Sequence, residues 1–138
     1  MRLALVIAEF NRSIVDAMVA GAEDEARGVG AVVVVTARIP GTYEVPLVLA
    51  RALGRDDVDG AVVLGYIERG ETQHGEVMGQ VVHGAIVKLS LRHGKPVGIG
   101  IIGPGATVEQ AEHRKDSYAR AAVRAALAAH AAMQAIGV

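Results

Sequence analysis

The 138-residue chain is expected to fold as one α/β domain over residues 1–138, a three-layer sandwich with helices on both faces of a central four-stranded parallel sheet. Three observations lead there. Short aliphatic runs alternate with helix-period patterns, and parallel strands in one sheet need such crossovers. Hydrophobic residues make up 51% of the chain and aromatics only 3%, so Val, Ile, Leu and Ala must form the core, as suits helices laid on a buried sheet. The length allows one real core and is too short for two of ordinary size.

Leu3 to Ala8 is the first buried strand, stopped by Glu9-Phe10-Asn11. Asn11 or Ser13 is placed to cap the next helix, whose buried stripe is Ile14, Val15, Met18, Val19 and Ala22, and Gly28 and Gly30 close it. Phe10, the only phenylalanine, stands at the strand end, where its ring can stack on a flat heterocycle or staple the helix entry. Ala31 to Ala37 is the second strand. The turn Ile39-Pro40-Gly41-Thr42-Tyr43-Glu44-Val45-Pro46 follows; Thr42 and Glu44 serve equally as helix caps or as partners for a polyhydroxyl ligand. The helix after it ends at Gly54.

Ala61 to Ile67 is the third strand and delivers Arg69-Gly70-Glu71-Thr72-Gln73-His74 to the start of a helix. That helix is expected to bury Val77, Val81, Val82, Ala85, Ile86 and Leu89 on one face. Pro96 to Ile102 is the fourth strand, expected to end at Gly103-Pro104-Gly105, and Thr107 with Gln110 forms the capping-box pattern of a last helix. From Tyr118 to Ile136 this helix spreads Val123, Leu127, Met133 and Ile136 around an alanine-rich surface wider than one sheet face covers, so a homo-oligomer is expected.

Formal net charge is −1 with no run of Lys or Arg, which argues against nucleic acid or an anionic membrane as partner. There is no cysteine, so disulfide and thiolate chemistry is excluded. No stretch approaches the roughly 20 apolar residues of a membrane span. The run from Leu3 to Ala8 is too short for a signal sequence, and a soluble cytoplasmic protein is expected.

Phe10, Gly41–Glu44, Arg69–His74 and Gly103–Gly105 each follow a strand, so all four reach one carboxyl edge, where open α/β sheets bind ligands. The Arg69–His74 turn is an anion site by construction, since a helix start has unpaired N–H groups and the positive end of the dipole. His74, in the first helical turn, is placed to move protons on a phosphorylated small molecule; the alternative is a capping Thr72 beside a surface histidine. Arg114 lies about 10 Å along a helix leaving that edge, so it points elsewhere or reaches a neighbouring subunit. The 5 histidines share no ligand spacing, and a helix start suited to anions collects cations poorly, so no metal is expected. Gly98-Ile99-Gly100-Ile101-Ile102-Gly103 matches G-x-G-x-x-G, but its first two glycines fall inside a strand, the wrong context for a dinucleotide.

Taken together, Ala8-Glu9-Phe10-Asn11, the Ile39–Pro46 turn, Gly70-Glu71-Thr72-x-His74 and Glu109-Gln110-Ala111-x-x-Arg114 resemble the successive motifs of lumazine synthases, in order and approximate spacing. Ala8–Arg12 and the Gly-Pro-Gly turn look most like archaeal members. The resemblance implies a flavodoxin-like fold. It also implies a transferase of riboflavin biosynthesis, with no cofactor, that condenses 5-amino-6-(D-ribitylamino)uracil with 3,4-dihydroxy-2-butanone 4-phosphate. The products would be 6,7-dimethyl-8-ribityllumazine, phosphate and water.

By the same resemblance Phe10 would stack on the pyrimidine, while Gly41, Thr42, Tyr43 and Glu44 would serve the ribityl side and the ring. Tyr66, Ile67 and Glu68 would line the ring pocket; Glu68 is an unusual neighbour for a phosphate unless it faces away. Glu71 and Thr72 would hold phosphate, His74 would move protons, and Arg114 would bind phosphate from the adjacent subunit of a pentamer. Ile99 stands where many members have an aromatic closing the pocket from the neighbouring chain. Lys115–Arg120 replaces a segment linked to the sixty-subunit shell, which leaves shell formation open. The competing readings are an archaeal-type riboflavin synthase paralogue, against which the phosphate motif argues, and a non-catalytic shell or flavin-binding protein of the same fold.

Overall fold

Six consecutive apolar residues, Leu3 to Ala8, leave strand β1 (Arg2–Ala8) no face to give to water, and it accordingly lies inside the sheet. The computed structural model describes residues Met1–Gly137. After β1 come α1 (Arg12–Gly28), β2 (Val32–Ile39), a 3₁₀ turn at Thr42–Glu44, α2 (Val45–Leu53), β3 (Gly60–Glu68), α3 (His74–His93), β4 (Val97–Ala106) and α4 (Val108–Ile136). The four parallel strands run in the order β2-β1-β3-β4.

Two core clusters, one on each face, make the expected three layers. Leu3, Leu5, Ile7, Leu64 and Tyr66 pack with α1 and α4, while Ala4, Val6, Val63 and Ile67 pack with α2 and α3. The strand order reverses direction between β1 and β3, so the loops leaving these strands diverge and open a crevice at the carboxyl edge. Helix α4 closes tightly on β4: a Cβ at Gly98 would collide with the Ala122 carbonyl, so the glycine of the G-x-G pattern there sets the helix–sheet distance. On the outer side of that helix pair, Arg120 bridges Asp24 at 2.7 Å and Asp116 at 3.0 Å, tying α1 to α4.

The structure corrects several expectations. Asn11 precedes α1 but makes no side-chain cap; its backbone is left-handed instead. Gly103-Pro104-Gly105 does not end β4. The strand pairs Tyr66 with Ile102, slips register, and resumes at Ala106 opposite Glu68, so the turn is a bulge within the strand. Helix α3 buries Val82 and Ile86 but leaves Val77 51% and Val81 56% exposed, because apolar residues surround this helix and its periodicity marks no single face. On α4, Val123 is buried and Leu127 packs on the core while Met133 and Ile136 stay exposed, and further uncovered apolar surface lies at Leu47, Val77, Val81, Val87 and Leu91 of α2 and α3 and at Val32 on the β2 edge. The Thr107–Gln110 capping box of α4 forms in full. Among the described residues no helix is long and apolar enough to cross a membrane.

Candidate functional site

Two cavities share a wall at the carboxyl edge of the sheet. The larger, about 470 Å³, takes Phe10 from the β1 loop, Gly41, Thr42 and Glu44 from the β2 loop, and Tyr66, Ile67 and Glu68 from the end of β3. Thr72, His74 and Met78 close it from the start of α3. This volume suits a heterocycle of one or two rings. Phe10 is half-exposed and free to offer a ring face. Thr42 is buried, and the exposed Glu44 carboxylate lies close over Gly41.

The smaller cavity, about 340 Å³, lies between the Arg69–Glu76 segment and the Pro104-Gly105 bulge. Glu68, Gly70, Thr72 and Gly75 line both cavities. Helix α3 begins at His74, whose backbone N–H donates a long 3.4 Å bond to Thr72 Oγ1. The first intrahelical bond runs from the Val77 N–H to the Gln73 carbonyl at 3.0 Å, so the N–H groups of Gly75 and Glu76 have no acceptor further back in the helix. With the helix dipole behind them and Arg69 in the same lining, set against Glu68 and Glu76, they offer this cavity donors for an anion. Glu68 does not face away: it borders both cavities, and its charge adds to burial in raising the Tyr66 phenol above its ordinary pKa.

The sequence matches the family described as 6,7-dimethyl-8-ribityllumazine synthase over residues 1–137. Curated relatives carrying that name include proteins of Staphylothermus marinus, 44% identical over 90% of this chain and 83% of the relative, and Metallosphaera sedula, 43% identical over 92% and 84%. Another, from Aeropyrum pernix, is 41% identical over 92% of this chain and 87% of its own length. The chain belongs to the 6,7-dimethyl-8-ribityllumazine synthase family.

In this lumazine synthase family member, the residues singled out from the sequence divide into three groups. Phe10, Gly41, Thr42, Glu44, Tyr66, Ile67, Glu68, Thr72 and His74 border the larger cavity. Tyr43 is partly exposed beside it, its ring edge-on to that of His74 with centroids 5.9 Å apart. Glu71, Ile99 and Arg114 line neither cavity of this chain. Glu71 is exposed on the turn, Ile99 sits in the middle of β4 against the α2–α3 core, and Arg114 projects from the exposed side of α4. Sequence reasoning missed Met78 and Glu76 as lining residues. Met78 is one helical turn beyond His74 on the same face, which was a readable signal. Among the described residues no cluster of three or more His, Asp or Glu could hold a metal ion.

Proposed function

We propose that the chain catalyses the family reaction with one substrate in each cavity: 5-amino-6-(D-ribitylamino)uracil in the larger and the phosphate of 3,4-dihydroxy-2-butanone 4-phosphate in the smaller. The observation that carries this is the shared wall. An apolar pocket with a free aromatic ring abuts an anion pocket, and His74 lines the first, next in sequence to Gly75 of the shared wall. Two substrates bound this way would bring the pyrimidine amine to the ketone carbon. Attack forms the C–N bond and loss of water gives an imine. Elimination then breaks the C–O bond to phosphate, whose growing charge falls on the Gly75 and Glu76 N–H groups. The ribityl-bearing nitrogen closes the second ring on the remaining carbonyl, and a second water leaves. His74 moves the protons of these steps, Phe10 stacks on the pyrimidine, and Thr42 and Glu44 bind the ribityl hydroxyls.

Arg114 completes the phosphate pocket from a neighbouring subunit of a pentamer. Its absence from the lining of both cavities of its own chain supports this, as do the apolar residues left uncovered on α2, α3 and β2. The cysteine-free composition is consistent with a cytoplasmic setting. The test is to mix the purified protein with both substrates and follow lumazine fluorescence over the uncatalysed background. Acceleration that needs the ketone phosphate is the expected result, and its absence with both substrates intact would defeat the proposal.

A further inference from the structure

We propose that Tyr66 is a positioning residue for the phosphate cavity: its buried hydroxyl pins the Gly103–Ala106 bulge against the Arg69 turn. Tyr66 is 1% exposed, and its O–H donates to the Ala106 carbonyl at 2.9 Å. The same carbonyl accepts the Arg69 N–H at 2.9 Å. One oxygen thus ties together the end of β3, the first residue of the anion-binding turn and the return of β4.

The location makes this tie consequential. Between the Tyr66–Ile102 and Glu68–Ala106 pairs, residues Gly103, Pro104 and Gly105 leave the regular ladder, and Pro104 and Gly105 become a wall of the smaller cavity. Opposite, the Pro104 ring lies close enough to α3 that a Cβ on Gly79 would come within 2.8 Å of it. The bulge is therefore held from two sides, by the proline on α3 and by the Ala106 carbonyl on β3. Burial keeps the phenol protonated, so it remains a donor. Without the hydroxyl, Ala106 keeps one of its two partners, and the wall facing the helix start gains freedom that phosphate binding must then remove.

This inference rests on the reading that phosphate occupies the smaller cavity. The test is Tyr66→Phe, which removes one oxygen and keeps the ring. The KM for the ketone phosphate should rise about fivefold, the size of one lost neutral hydrogen bond, and by clearly more than the KM for the aminopyrimidine. Weakening of both substrates alike, or of neither, would overturn the proposal, because a general loss of packing favours neither cavity. Pro104→Ala loosens the same wall from its other side, and combining it with Tyr66→Phe should cost less than the two separate effects added together. Full additivity would count against a shared wall. Line broadening of inorganic phosphate in ³¹P NMR needs no turnover: weaker phosphate binding in Tyr66→Phe would uphold the positioning role even if the wild-type chain failed to make lumazine, and unchanged binding would sink it.

Discussion

Apart from the shared wall, the larger cavity is lined mostly by apolar and aromatic side chains, among them Phe10, Ile67 and Met78, whereas the smaller is lined by Arg69, Gln73, Glu76 and the Pro104-Gly105 bulge at the start of α3. The contrast follows from what each has to recognise. A flat ring is recognised by shape and apolar contact, which side chains supply. A phosphate is recognised by N–H groups, which glycine leaves uncovered. Changes to side chains that face only the first should therefore act on the pyrimidine, and changes to the second, or to the Tyr66 hydroxyl that holds its bulge, on the phosphate.

His74 lines the larger cavity beside the shared wall and should give the largest effect. His74→Ala is expected to lower kcat by about 100-fold with little change in either KM, as loss of proton transfer requires. Steady-state fluorescence kinetics with each substrate varied would check this, and normal turnover would remove His74 from the mechanism. Arg114→Ala should raise the KM for the ketone phosphate about tenfold and leave that of the aminopyrimidine nearly unchanged. Equal losses would argue for a structural role and blur the distinction between the cavities. Phe10→Leu should work the other way, raising the aminopyrimidine KM about fivefold by loss of stacking while sparing the phosphate substrate.

The smallest effect tests neither cavity. Asp59, at the opposite edge of the sheet, accepts the Arg2 backbone N–H at 2.6 Å and its guanidinium at 2.8 Å. These contacts hold its carboxyl at about 2, below the usual value of about 3.9. A depressed carboxylate adds stability above the unfolded pKa and loses it as pH falls through the folded one. Asp59→Asn should therefore cost about 1 kcal/mol at neutral pH, allowing for solvent screening, and the gap to wild type should close between about pH 4 and pH 2 in urea melts. Neither KM should move.

The loops after β1, β2 and β3 were legible because each aliphatic run is followed by a helix with its own start signals, and parallel topology sends every such loop to one side. The direction of Glu68 was also within reach, since alternation along β3 puts it on the same face as Tyr66 two residues earlier. The bulge at Gly103–Gly105 was not. A Gly-Pro-Gly sequence reads as an ending, and only the pairing of Ala106 with Glu68 shows that the strand resumes. Nor could periodicity find the outer face of α3, where Val77 and Val81 are as apolar as the residues buried behind them.

The contact of Gly98 with Ala122 bears on how relatives of this chain diverge. A descendant that stopped making lumazine would be free to replace His74 or Phe10, but any side chain at Gly98 would still meet the α4 backbone. The glycine pattern of β4 is thus a record of architecture that would outlast the chemistry, and the turn before α3 is where a lost activity would first become visible.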